Sequence, residues 1–164
     1  MKQTSIQQAG LYDPAFEKDS CGFGLIANID DKPSHWLVKK SVDSLARLTH
    51  RGAIAADGKT GDGCGLLLKT PVQFFRTKAQ EQGIKLADLF AVGMVFLNSD
   101  KTLANQAKTV LEEEIKKEGL RVLGWRIVPT DISACGNQAL ATLPGIEQVF
   151  VNASDAMDNA DLDR

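Results

Sequence analysis

The segment from residue 101 to about 118 constrains the fold more than any other stretch, because Leu103, Ala107, Val110, Leu111 and Ile115 recur along one face of a helix. Glu112 with Lys116 and Glu113 with Lys117 add i,i+4 pairs in the favourable order, and Gly119 terminates the run. This is the clearest helix in the sequence. Residues 91–97 read as a buried strand on one side, followed by Asn98, Ser99 and Asp100 as turn and cap. Residues 121–128, ended by Pro129, and residues 148–152 read as two further strands. The expected class is therefore α/β (α+β).

Upstream, the texture changes near residue 20. Phe23, Leu25, Ala27 and Ile29 alternate as a strand would, and Asp30, Asp31, Lys32 and Pro33 supply turn chemistry. Ser34 is a candidate N-cap for a helix whose buried face carries Leu37, Val38, Val42, Leu45 and Leu48 and which ends near His50, Arg51 and Gly52. Five glycines then fall within fourteen residues, from Gly52 to Gly65, before an apolar strand candidate at 66–68. Pro71 suits the first turn of another helix carrying Val72, Phe74 and Phe75, with Gly83 as its terminator.

Composition limits the function. The chain has 164 residues, 43% apolar and 24% charged, which is that of one globular domain, and its net charge of −2 gives no general attraction to nucleic acid or acidic lipid. Neither nucleic acid nor membrane is an expected partner. Cys21, Cys64 and Cys135 are widely spaced with no C-x-x-C, which suggests neither a disulfide framework nor a zinc site and fits a reducing, cytoplasmic setting. The first twenty residues hold no apolar run of a secretion signal, and residues 153–164 carry four aspartates and read as a polar tail or a truncated connection.

Among candidate chemistries, Gly58, Lys59 and Thr60 end like a P-loop, but Gly52 to Gly58 leaves five intervening residues where four are needed. Their bland role is a tight loop. His35 and His50 have no carboxylate or cysteine at ligand spacing; His35 reads as a surface residue and His50 as part of a helix end. Cys135 reads as a small buried thiol, and Cys64, between glycines, as a packing residue or a residue lining a site. Cys21 stands at the boundary itself. By composition it is a buried strand residue. If the bond from Ser20 were cut, its thiol, with pKa near 8.5, would share a residue with a free α-amine of pKa about 8. Nucleophile and base would then be one residue, as in N-terminal nucleophile enzymes.

Three blocks in order, Cys21-Gly22-Phe23-Gly24-Leu25-Ile26-Ala27, His50-Arg51-Gly52-Ala53 and the glycine-rich run from Asp57 to Gly65, resemble the start of glutamate synthase large subunits, whose first domain is a class II glutamine amidotransferase. Val92 to Leu97, Gly124-Trp125-Arg126 and Gln148 to Asn152 extend the resemblance. It implies a four-layer αββα sandwich, incomplete in this chain, with residues 1–20 a leader that is removed and 21–152 the N-terminal part of the domain. It also implies Cys21 as the nucleophile on L-glutamine and Arg51 as the clamp on the substrate's α-carboxylate. Read from its position alone, without the motif, Arg51 is a helix-terminal arginine bonding the last carbonyls. The family's Asn-Gly oxyanion element has no counterpart, since no Asn-Gly dipeptide occurs. FMN and an iron–sulfur cluster, the remainder of the large subunit and a small reductase subunit are implied for the full-length enzyme. The alternatives are a non-catalytic fragment that needs the rest of its domain, and a small nucleotide-binding protein.

Overall fold

The computed structural model describes residues 22–48, 54–61 and 63–153. These divide into two units: 22–48 with 61 and 63–66, and 54–60 with 67–153. In the first, helix α1 (His35–Arg47) starts directly after Ser34, as expected, although the Ser34 hydroxyl makes no capping bond. The helix is shorter than its pattern suggested and closes through the Leu48 N–H on the Leu45 carbonyl. No α1 residue is buried: Leu37 and Leu45 are half-covered and Val38 and Val42 are exposed.

The strand expected at 23–29 is absent. Residues 22–28 form neither helix nor strand, and Phe23, Leu25 and Ile29 are 95%, 89% and 99% exposed. Alternation marks a segment able to pair, but the ladder needs a neighbouring strand to hydrogen-bond with. The expected strand at 66–68 is missing for the same reason, with Leu67 99% exposed.

The second unit follows the sequence more closely. Helix α2 (Val72–Glu81) starts after Pro71, which sits one position earlier than expected, as the N-cap. Gly83 ends it at φ +71°, a left-handed conformation that glycine adopts without a Cβ penalty. Strand β1 (Phe90–Leu97), helix α3 (Lys101–Lys117) and strand β2 (Arg121–Ile127) come next, and Asp100 caps α3 by accepting from the N–H groups of Thr102 and Leu103. The expected ion pairs along α3 are replaced: Lys117 meets Glu114 at 2.6 Å, and Glu112 accepts from the Trp125 indole N–H at 2.6 Å. A 3₁₀ turn (Ile132–Ala134) and a short helix α4 (Asn137–Ala141), neither anticipated, lead into strand β3 (Gly145–Asn152), which starts three residues before the predicted 148.

The sheet order is β1-β3-β2, with β3 antiparallel to both neighbours. The last strand in sequence is thus the central one, and five of its residues, Gln148 to Asn152, are buried. Phe150 is fully buried and packs with Ala79, Leu86 and Phe90, with Phe75 meeting it edge-on at 6.4 Å. Gly124, opposite Phe150 at the bulge in β2, leaves the room that Ile84 fills: a Cβ there would lie 2.8 Å from Ile84 Cδ1. Arg76 straps the connection after α2 by donating to the carbonyls of Leu86, Ala87 and Asp88 while stacking over Phe90. Buried Asn152 accepts from the Ala87 N–H at 3.0 Å and so satisfies its side chain. On α3, Lys108 reaches Glu147 of β3 at 2.6 Å and lies over the Trp125 ring.

Phe150→Ala removes the one fully buried large side chain among the described residues and should destabilise the domain by about 3–5 kcal/mol, whereas Phe96→Ala, at a site 65% exposed, should change stability by less than about 1 kcal/mol. Denaturant unfolding of the two variants checks the contrast.

Candidate functional site

Cys21 and Arg51, the two residues expected to carry the chemistry, lie outside the described residues, as do His50 and Asp62. His35 is the exposed first residue of α1. Cys64 is exposed, which corrects the packing role expected of it, and Cys135 is only half-buried, after the 3₁₀ turn. Helix α1 approaches the Arg51 segment from one side in sequence, and the turn 54–60 follows it.

That turn is held by a dense set of hydrogen bonds. The Ala55 N–H donates to the Thr60 carbonyl at 2.7 Å and the Gly58 N–H to the Ala55 carbonyl at 2.9 Å, while Gly58 takes φ +69°. Asp57 organises the interior. Its Oδ1 accepts from the N–H groups of Lys59 and Thr60 at 3.0 and 2.7 Å, and its Oδ2 accepts from the Thr60 hydroxyl at 2.6 Å. The same Oδ2 accepts from the Gln138 N–H at 3.3 Å, and the Thr60 Oγ1 accepts from the Ala139 N–H at 3.3 Å. Two donors at the start of α4 are thereby satisfied by a loop about eighty residues away in sequence.

The contact leaves no space for a side chain at Gly136, because a Cβ there would collide with Thr60 Oγ1 and Asp57 Oδ2 and lie 2.6 Å from the Thr60 nitrogen. The hydrogen bond from the Thr60 hydroxyl, then those from the backbone of Thr60 and Lys59, hold the Asp57 carboxyl far below its ordinary value of 3.8. This arrangement also decides the P-loop question against phosphate. The N–H groups of Lys59 and Thr60, which a P-loop aims at its ligand, are given to Asp57.

An Asx turn could have been read from Asp57 followed by Gly58, Lys59 and Thr60. Its partner at 136–139 carried no sequence signal. Among the described residues no three His, Cys, Asp or Glu side chains gather as a metal site requires, and no helix is long and apolar enough to cross a membrane.

Comparison with known proteins bears on the whole chain. The family of class II glutamine amidotransferases matches residues 21–164. Ferredoxin-dependent glutamate synthase 1, chloroplastic/mitochondrial, of Arabidopsis thaliana is 42% identical over 96% of this chain and 10% of its own length. The glutamate synthase [NADPH] large chains of Bacillus subtilis (strain 168) and Azospirillum brasilense are 38% and 41% identical, over 94% and 90% of this chain and 10% of theirs. The chain thus spans about a tenth of the length of the curated relatives it matches.

Because the Asp57 carboxyl is depressed in the folded state, its bonds stabilise the fold above the unfolded value near 4 and that contribution fades as pH falls further. The difference in melting temperature between the parent and Asp57→Asn should therefore be constant from about pH 7 to about pH 5 and narrow below about pH 4. A difference unchanged at about pH 3 would contradict this.

Proposed function

We propose that this chain, which belongs to the class II glutamine amidotransferases, carries the nucleophile and the carboxylate clamp of the glutaminase site of a glutamate synthase. The observation that carries the reading is where the family match begins: at residue 21, the cysteine whose α-nitrogen the chemistry needs free. Residues 1–20 are then a leader that is removed, residues 21–152 the N-terminal part of a four-layer αββα domain, and 153–164 a connection or tail. The mixed helices and antiparallel sheet are consistent with that architecture.

In the mechanism, the free α-amine of Cys21 takes the thiol proton, directly or through water, as the sulfur attacks the side-chain amide carbon of L-glutamine. A C–S bond forms and the carbonyl electrons move to oxygen. When the tetrahedral species collapses, the C–N bond breaks, the ammonium proton passes to the leaving nitrogen and ammonia departs. Water then attacks the glutamyl thioester, returning the proton and the thiol and releasing glutamate. The amine suits this exchange because its pKa of about 8 lies close to the thiol's value near 8.5. Arg51 grips the substrate α-carboxylate with a planar guanidinium whose fork matches both oxygens.

In the full enzyme the ammonia serves amination of 2-oxoglutarate, with FMN and an iron–sulfur cluster supplying the reducing chemistry and a small reductase subunit as partner. The described residues do not fit the cluster as a host: no three His, Cys, Asp or Glu side chains gather among them, so they offer no set of thiolate ligands.

A second reading is favoured by the exposed apolar side chains Phe23, Leu25, Ile29 and Leu67. So much uncovered apolar surface calls for further polypeptide over it, and the chain then works only with the remainder of its domain. Glutamine hydrolysis by this chain alone, abolished by Cys21→Ala, would eliminate it.

In the full-length protein Cys21→Ala should cut glutamine hydrolysis at least about a thousandfold. Arg51→Lys, which keeps the charge but loses the fork, should raise KM about tenfold or more with little change in kcat. Steady-state kinetics with glutamine check both; full activity in Cys21→Ala would refute the reading.

A further inference from the structure

Helix α2 covers only part of its face of the sheet. Alternate residues of a strand share a face, so β1 presents Phe90, Val92, Met94 and Phe96 on the side where Phe150 packs. Exposure rises along that row, from buried at Phe90 and half-buried at Val92 to 51% at Met94 and 65% at Phe96. The pairing register aligns Met94, Gln148 and Arg126 across the three strands, with Phe96 and Ile146 beside them. Gln148 is buried, and its Oε1 accepts from Arg126 Nη1 at 2.7 Å. Arg126 is half-buried, and among the described residues this neutral amide is its acceptor and no carboxylate pairs with it. A guanidinium drawn partly out of water and answered by an amide alone keeps its charge uncompensated. The other face differs: Lys108, reaching down from α3, meets Glu147 there at 2.6 Å.

We propose that the open half of this face, Met94, Phe96 and Ile146 around Arg126, is a docking surface for a segment of the full-length protein beyond residue 164 that presents an Asp or Glu among apolar side chains, its carboxylate pairing with Arg126. Charge selects the occupant. A wholly apolar cover would strand the guanidinium in a drier contact, whereas a carboxylate converts the same residue into a charge-assisted pair. Gln148 occupies Nη1 and steadies the planar group, which leaves the Nε and Nη2 edge for a two-oxygen acceptor. Arg, Met and aromatic residues are also the types enriched at the centres of protein contacts. A second copy docking through the same face would set one uncompensated Arg126 against another, a like-charge contact. Further chain of the same protein is the better source, since this chain spans 10% of the length of the curated relatives. The inference is independent of the roles proposed for Cys21 and Arg51.

Two readouts on the full-length protein test it, and the proposal requires both. The first uses Arg126→Lys and a carbodiimide, which joins an amine to a carboxylate in contact with it. Position 126 should couple to an Asp or Glu beyond residue 164, identified by peptide mass spectrometry. The second follows Met94 in the parent: hydrogen peroxide should oxidise it at least about tenfold more slowly in the native than in the urea-unfolded protein, because an exposure of 51% alone would slow it only about twofold. A smaller slowing overturns the proposal, and so does the absence of coupling at position 126. Coupling to an Asp between residues 154 and 164 overturns it in favour of this chain's own tail. Coupling that disappears on dilution overturns it in favour of a second copy. If Arg126→Lys does not accumulate, phenylglyoxal on the parent replaces it: Arg126 should react at least about tenfold more slowly in the native than in the unfolded protein, and a smaller slowing overturns the proposal.

Discussion

Strands β1 and β2 are joined to each other only through β3, and β3 is the last of the three in sequence. Much of the sheet unit depends on that insertion. The β1–α3–β2 crossover sets its two strands apart by the width of one strand, and residues 145–152 pair with both. The arriving strand brings Phe150, whose ring completes the cluster formed with Ala79, Leu86 and Phe90, and Asn152, which ties the connection after α2 through the Ala87 N–H. The segment between β2 and β3 is not idle linker, because α4 lies within it and receives the Asp57 turn. The sheet and the turn 54–60 are thus coupled through the same stretch of chain.

An N-terminal cysteine that serves as its own base solves the proton problem within one residue, but it does nothing to select or orient a substrate. In the proposed function that task falls to Arg51. A carboxylate at Asp57, accepting from three backbone N–H groups and one hydroxyl, holds the turn 54–60 without a large apolar contact. The first unit presents the opposite situation. Its apolar residues between Phe23 and Ile29 have the alternation of a strand and nothing among the described residues to pair with.

The helices and strands of the sheet unit were legible because their signals are local. Asp100 as a cap, Gly83 and Gly119 as terminators, and the 3.6-residue period of α3 each act within a few residues. The failures share a cause in distant partners. Strand candidates at 23–29 and 66–68 need a neighbour to become strands, and sequence alternation cannot supply one. Glu112 was expected to face Lys116 and instead accepts from Trp125 of β2. The short elements Ile132–Ala134 and Asn137–Ala141 carry no long period, so nothing announced them. For the site, the motifs around Cys21 and Arg51 were readable as a resemblance, whereas the contact of Asp57 and Thr60 with residues 136–139 joins positions that no pattern connects.

The central claim is that the α-nitrogen of Cys21 is free in the working enzyme. Intact-mass and N-terminal sequencing of the purified, glutamine-hydrolysing full-length protein tests it most directly. The account predicts a chain beginning at Cys21, with residues 1–20 gone. A fully active enzyme that retains Met1 to Ser20 would contradict it, because the nitrogen would then be an amide with no proton-accepting role.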